Sequence, residues 1–141
     1  MLEFGIRNAE FLKVVDIWMK GAYYMVKLQN EHGCISIAGD VFTILTGDAA
    51  TNCFGVKGMT VRSVTDGLVY LLKKESMGKG VHITYNDDNT ISIELHIAVD
   101  QGVNIPVICE SIMDRVRYQV TKGTGVVIRQ VDIFIDTMLI G

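Results

Sequence analysis

Two periods of apolar and polar positions run along this chain, and the switches between them mark the elements. In the first 24 residues Phe11, Val14, Val15, Trp18 and Ala22 recur at helical spacing, while Lys13, Asp16 and Lys20 share another face. Residues 1–24 therefore read as an N-terminal extension, either an amphipathic helix or a leader ahead of a natural start at Met25. As a helix it would dock on a partner or a membrane surface with Trp18 as its anchor. Residues 25–141 read as a single domain.

From Val26 the pattern is regular. His32-Gly33 reads as a turn and Cys34-Ile35-Ser36-Ile37 as a short strand, after which Asp40 opens a helix carried by Val41, Ile44, Leu45, Ala49 and Cys53 and stopped by Gly55. Gly47 inside that helix predicts close approach of another backbone. Val56 to Val61 is extended. Ser63, with Asp66 three residues on, predicts the capped start of a second helix whose buried stripe is Val64, Leu68, Leu71 and Leu72, ended by Gly78-Lys79-Gly80. Val81, Ile83 and Tyr85, then Ile91, Ile93, Leu95 and Ile97, alternate with polar residues about the turn Asn86 to Asn89, which predicts an antiparallel hairpin with one apolar face. Asn104 as N-cap and Pro106 in the first turn open a third helix with the stripe Ile105, Ile108, Ile112, Val116 and Val120, ended by Gly123 and Gly125. Val127 to Ile135 is the last strand. The expected fold is α+β: a two-layer sandwich of a small, mostly antiparallel or mixed sheet with about three helices on one face.

Composition fits one folded domain: 141 residues, 49% hydrophobic and 21% charged. The 13 basic and 16 acidic residues give a net charge of −3, so the chain has no general attraction for nucleic acid or anionic lipid. Cys34, Cys53 and Cys109 form no C-x-x-C pair and are an odd number, which argues for reduced thiols used as small core residues in a cytoplasmic protein. No apolar run approaches the ~20 residues of a membrane span.

Candidate chemistry is sparse. The chain has no P-loop, dinucleotide-binding, nucleophile-elbow or zincin motif, so no catalytic residue and no cofactor is assigned. Asp87 and Asp88 are turn residues whose pKa values water should keep ordinary. His32 and Cys34 project to one side of an extended segment, and His82 or His96 could approach them as metal ligands or as a Cys-His pair. Polar-face histidines are the commoner meaning of this pattern, and no metal site is assigned. Lys73, Lys74, Lys79 and Lys122 form a candidate interaction surface, although cations also suit helix C-termini. Beside the turns Gly78-Lys79-Gly80 and Gly123-Thr124-Gly125 they suggest a KH-like nucleic-acid binder, but the G-x-x-G clamp is absent.

The run Ala50-x-x-Cys53-x-Gly55-Val56-x-Gly58-Met59 resembles a segment of the bacterial alkaline-shock, or envelope stress response, protein family. So do Lys79-Gly80-Val81, Gly102-Val103-Asn104-Ile105, Val116-Arg117-Tyr118 and Thr124-Gly125, in order and spacing from about Val26 to Leu139. Asn52 departs from the acidic residue usual there. The resemblance implies a cytoplasmic protein of Gram-positive-type bacteria, tied to envelope and alkaline stress, peripheral to the membrane through a separate anchor protein, and set near lipid metabolism by a fatty acid kinase-type partner. It brings no enzymatic activity. Its motif residues, Cys53, Gly55, Gly58, Met59, Gly80, Gly102, Asn104 and Gly125, suit turns and packing rather than chemistry. The expected function is a non-catalytic scaffold or adaptor that forms a homo-oligomer. The alternatives are the KH-like binder and a small-ligand regulator of a lipid pathway, which would need a deep apolar pocket.

Overall fold

In the computed structural model, residues 13–20 and 23–140 are described, with side chains from Met25 onward. Three antiparallel strands come first: β1 (Lys13–Lys20), β2 (Tyr23–Asn30) and β3 (Gly33–Ala38), in the order β1-β2-β3. Residues 13–20 are thus a strand, not the helix their spacing suggested. They pair with β2 from Lys13↔Gln29 to Lys20↔Tyr23, and this ladder overrides a weak local helical period. Residues 1–12 and 21–22 of the expected helix lie outside the described residues.

Helix α1 (Gly39–Thr51) follows, with Asp40 in its first turn. Then come β4 (Val56–Arg62), β5 (Val69–Leu71), a 3-10 helix (Lys74–Gly80), β6 (Val81–Tyr85), β7 (Ile91–Asp100), α2 (Ile105–Thr124) and β8 (Ile128–Leu139). Strands β4 to β8 form a mixed five-stranded sheet, and the whole is α+β as the pattern implied.

The predicted second helix over Ser63 to Leu72 is absent. Ser63 still uses its hydroxyl as a cap would, accepting from the amides of Thr65 and Asp66 at 3.3 and 3.4 Å. However, Gly67 takes φ +71°, outside the right-handed helical region, and the Ser63 amide donates to the Leu68 carbonyl at 2.8 Å. The chain turns back as a hairpin in which Thr60 pairs with Leu71. Val64 and Leu68, the expected stripe, stand in solvent. The neighbour of Gly47 also differs from expectation: the Met77 side chain of the 3-10 helix, 3.0 Å from where a Cβ would lie, approaches it in place of a backbone.

β7 is the spine. Ile91, Ile93, Leu95, Ile97 and Val99 are all buried on the face toward the helices. Against them α2 lays Ile108, Ile112, Val116 and Val120. These β-branched residues are poor helix formers by roughly 0.5 kcal/mol each, while burying each stabilises by roughly 1.5–3 kcal/mol, so packing and not propensity holds this helix. Asn104 caps it by accepting from the Val107 amide at 3.3 Å, and Gly125 ends it at φ +77°. Because α2 carries the chain back across the sheet, β8 pairs with β7 in parallel. The other edge of β7 is shared end to end. β6 covers Ile91 to Leu95 and β4 covers Ile97 to Val99. Val26 and Leu28 of β2 complete the core.

Candidate functional site

At the seam between β4 and β6 the backbone is crowded. A Cβ on Gly80 would lie 2.9 Å from the Thr60 carbonyl oxygen and 3.3 Å from that of His96, both backbone atoms, so only glycine fits without displacing a strand. This packing draws Thr60 of β4, His96 of β7 and the start of β6 together. On the face turned from the helices, β7 presents Ser92, Glu94 and His96. His82 of β6 stands directly opposite Glu94.

β8 adds the remaining side chains. Phe134 pairs with His96 in register and stacks on its imidazole, with centroids 4.8 Å apart and planes 9° apart. The register then slips, since Ile97 faces Ile135 but Ala98 faces Thr137, leaving Asp136 as the inserted residue of a bulge. Its Oδ2 lies 3.0 Å from His96 Nδ1 and accepts from the buried Thr60 hydroxyl at 3.0 Å. The other ring nitrogen, Nε2, lies 2.8 Å from Glu94 Oε2. His82 meets the same ring edge-on at 5.5 Å. Burial works against a charge on His96, but the hydrogen bonds to Glu94 and Asp136 and the charges of both carboxylates outweigh it, and the pKa lies above the ordinary histidine value. His82, Glu94 and His96 each bring one donor atom within 4.8 Å of the others, a set able to hold a metal ion.

The structure does not bring His32 and Cys34 into this cluster. His32 sits in the β2–β3 turn, 3.6 Å from the Glu31 carboxylate, and Cys34 is exposed on β3 rather than in the core. Cys53 is the buried thiol, and burial pushes its pKa up against the nearby Arg115 charge and a Ser111 hydrogen bond. Burial also raises that of the half-buried Cys109. Asp87 and Asp88 lie in the β6–β7 turn, as expected, but Asp88 is not ordinary: hydrogen bonds from the Thr90 hydroxyl and amide lower its pKa.

Lys73 and Lys74 lie at the start of the 3-10 helix rather than at a helix end, with Lys79 in its last turn. Lys122 lies in the last turn of α2, its ammonium 5.4 Å from the Tyr118 ring centroid. Of the motif residues, Cys53, Gly58, Met59 and Gly80 are buried, Asn104 is the cap of α2, and Gly55, Gly102 and Gly125 take left-handed turn conformations. Along the end of α1 and the side of α2 runs an open groove of about 850 Å³, lined by Asn52, Ser111, Asp114, Arg115, Tyr118, Gln119, Lys122 and Gly123. It is open, and most of the residues lining it are polar, unlike the enclosed apolar cavity a lipid-pathway ligand would require.

Glu94, Asp136, Thr60 and Phe134 were not singled out from the sequence as site residues. A signal for the first existed: once Tyr85 is set opposite Ile91 by the hairpin turn, His82 must fall opposite Glu94.

The fold and the face it exposes define a small α+β protein with one helix-covered and one open sheet face, and no helix among the described residues is long and apolar enough to cross a membrane. The chain belongs to the bacterial alkaline-shock protein family, described as having a cell envelope-related function, whose profile matches residues 27–140. It is similar to the uncharacterized protein YloU of Bacillus subtilis, at 29% identity over 79% of this chain and 92% of that one. It is also similar to the uncharacterized protein Spy1614 of Streptococcus pyogenes (30%, covering 80% and 93%) and to the uncharacterized protein YqhY of Bacillus subtilis (31%, covering 79% and 83%). No solved structure matches it.

Proposed function

We propose that this protein is a non-catalytic scaffold or adaptor of the cell envelope that works through protein contacts, first of all with further copies of itself. The observation that carries this reading is the set of large apolar side chains that the helical layer leaves exposed. Val41 and Ile44 on α1, Phe54 in the turn after it, and Val107 and Tyr118 on α2 are all exposed, Phe54 by 90%. Apolar side chains grouped on a surface mark contact sites, and Val41 and Ile44 lie one helical turn apart. A cytoplasmic position, a role in alkaline stress or lipid homeostasis, and a membrane-anchor or fatty acid kinase-type partner belong to the same proposal, and the family resemblance supports them.

Analytical ultracentrifugation over a wide concentration range tests it. The expected result is a mass that rises with concentration and falls back toward one chain in Phe54→Ser, with the melting temperature in dilute solution unchanged. A single chain mass at every concentration would overturn self-association. The nucleic-acid reading has no comparable observation in its favour.

A further inference from the structure

We infer that the open sheet face carries a binding site for a divalent transition-metal ion of the zinc class, with His82, Glu94 and His96 as its three protein ligands and Asp136 as the residue that orients His96. Strand geometry supplies the convergence. His82 and Glu94 are cross-strand partners of β6 and β7, and His96 is the next residue of β7 on the same face, so three donors from two adjacent strands project together. Two imidazoles and one carboxylate favour zinc and its neighbours over magnesium or calcium, which take oxygen ligands throughout.

The surroundings are those of a supported ligand set. A metal-binding histidine commonly engages a carboxylate through its other nitrogen, which fixes the tautomer and the ring orientation. Asp136 is so placed, 3.0 Å from His96 Nδ1, and is itself held by the Thr60 hydroxyl. Phe134 stacked on the ring fixes its plane. That arrangement leaves Nε2 on the Glu94 side of the ring, where an ion held between the two groups would replace their hydrogen bond.

Spacing is close to what an ion needs. Tetrahedral zinc with bonds near 2.1 Å places its ligand atoms about 3.4 Å apart. The Glu94–His96 contact of 2.8 Å would open by about half an ångström, and the widest separation, within 4.8 Å, would close by a swing of His82. His82 is exposed and free to make that movement, and the ion enters from the same side. A water molecule would complete the four-coordinate set.

Calorimetric titration of the chelator-stripped full chain with zinc chloride tests the site, with cobalt(II) absorption reporting the geometry. One zinc ion per chain is expected, with the intense visible bands of four-coordinate cobalt and no binding of magnesium. His82→Ala and Glu94→Gln should each weaken binding further than Asp136→Asn, which should cost roughly 10–100-fold. His32→Ala and Cys34→Ser should leave it unchanged. Absence of binding at micromolar zinc, binding that survives both His82→Ala and Glu94→Gln, or binding abolished by His32→Ala or Cys34→Ser would each overturn the assignment. His82 and Glu94 are not core residues, so their variants keep the test open if His96→Ala fails to fold.

Discussion

Gly80 shows how much one residue can decide here. A methyl group at this position would press on two strand backbones at once, and neither can yield without moving Thr60 or His96. Gly80→Ala should therefore lower stability by about 1–3 kcal/mol, read from urea denaturation. Its sequence context said only that a helix ends there, because the crowding comes from residues 20 positions before and 16 after. Asn104 is the opposite case. Its capping role is local, was readable from Asn-x-Pro ahead of an apolar stripe, and is met in the structure. Asn104→Ala should cost about 1 kcal/mol. The cysteines split by exposure, which composition cannot reveal. Timed alkylation with mass spectrometry should label Cys34 first and Cys53 last, since the Cys53 thiol is buried and held protonated.

Among elements, legibility followed the length of the periodic signal. Helix α2 repeats its apolar step over five turns and was plain; residues 63–72 repeat it over barely two, with Gly67 in the middle. There, pairing of β5 with β4 won over helical spacing. The two cases separate under mutation. Ile112→Ala removes a fully buried side chain from the α2–β7 interface and should cost about 2–5 kcal/mol. Leu68→Ala, which would cost as much if the helical stripe existed, should stay within about 0.5 kcal/mol because Leu68 is exposed. Equal losses in the two denaturation curves would refute the hairpin. The N-terminal strand gives a second test at this scale. β1 protects one edge of β2, whereas Val26 and Leu28 anchor β2 in the core. A chain beginning at Met25 should thus lose hydrogen-exchange protection along β2 while Ile93 to Ile97 keep theirs.

At the scale of the whole molecule, the class of fold was readable because the hairpin and α2 are local objects. The parallel placing of β8 against β7 was not, since it joins segments about 40 residues apart. The candidate site depends on that long-range pairing. Half of it, His82 with Glu94 and His96, follows from hairpin register; the other half, Asp136 and Phe134, arrives only when β8 docks. The motif residues of the family sit at turns, at the α2 cap and in the core, so they maintain the scaffold on which this face is displayed.

The slipped register in β8 gives that dependence a simple genetic form. Because Thr137 already faces Ala98, excising the single codon for Asp136 would join Ile135 to Thr137 in unbroken alternation, without turning the rest of the strand over. Such a shortened chain should fold with a more regular ladder and lose the carboxylate that steadies His96 and accepts from the buried Thr60 hydroxyl. An ordinary sheet and one equipped to hold an imidazole in place are, in this architecture, neighbours separated by three nucleotides.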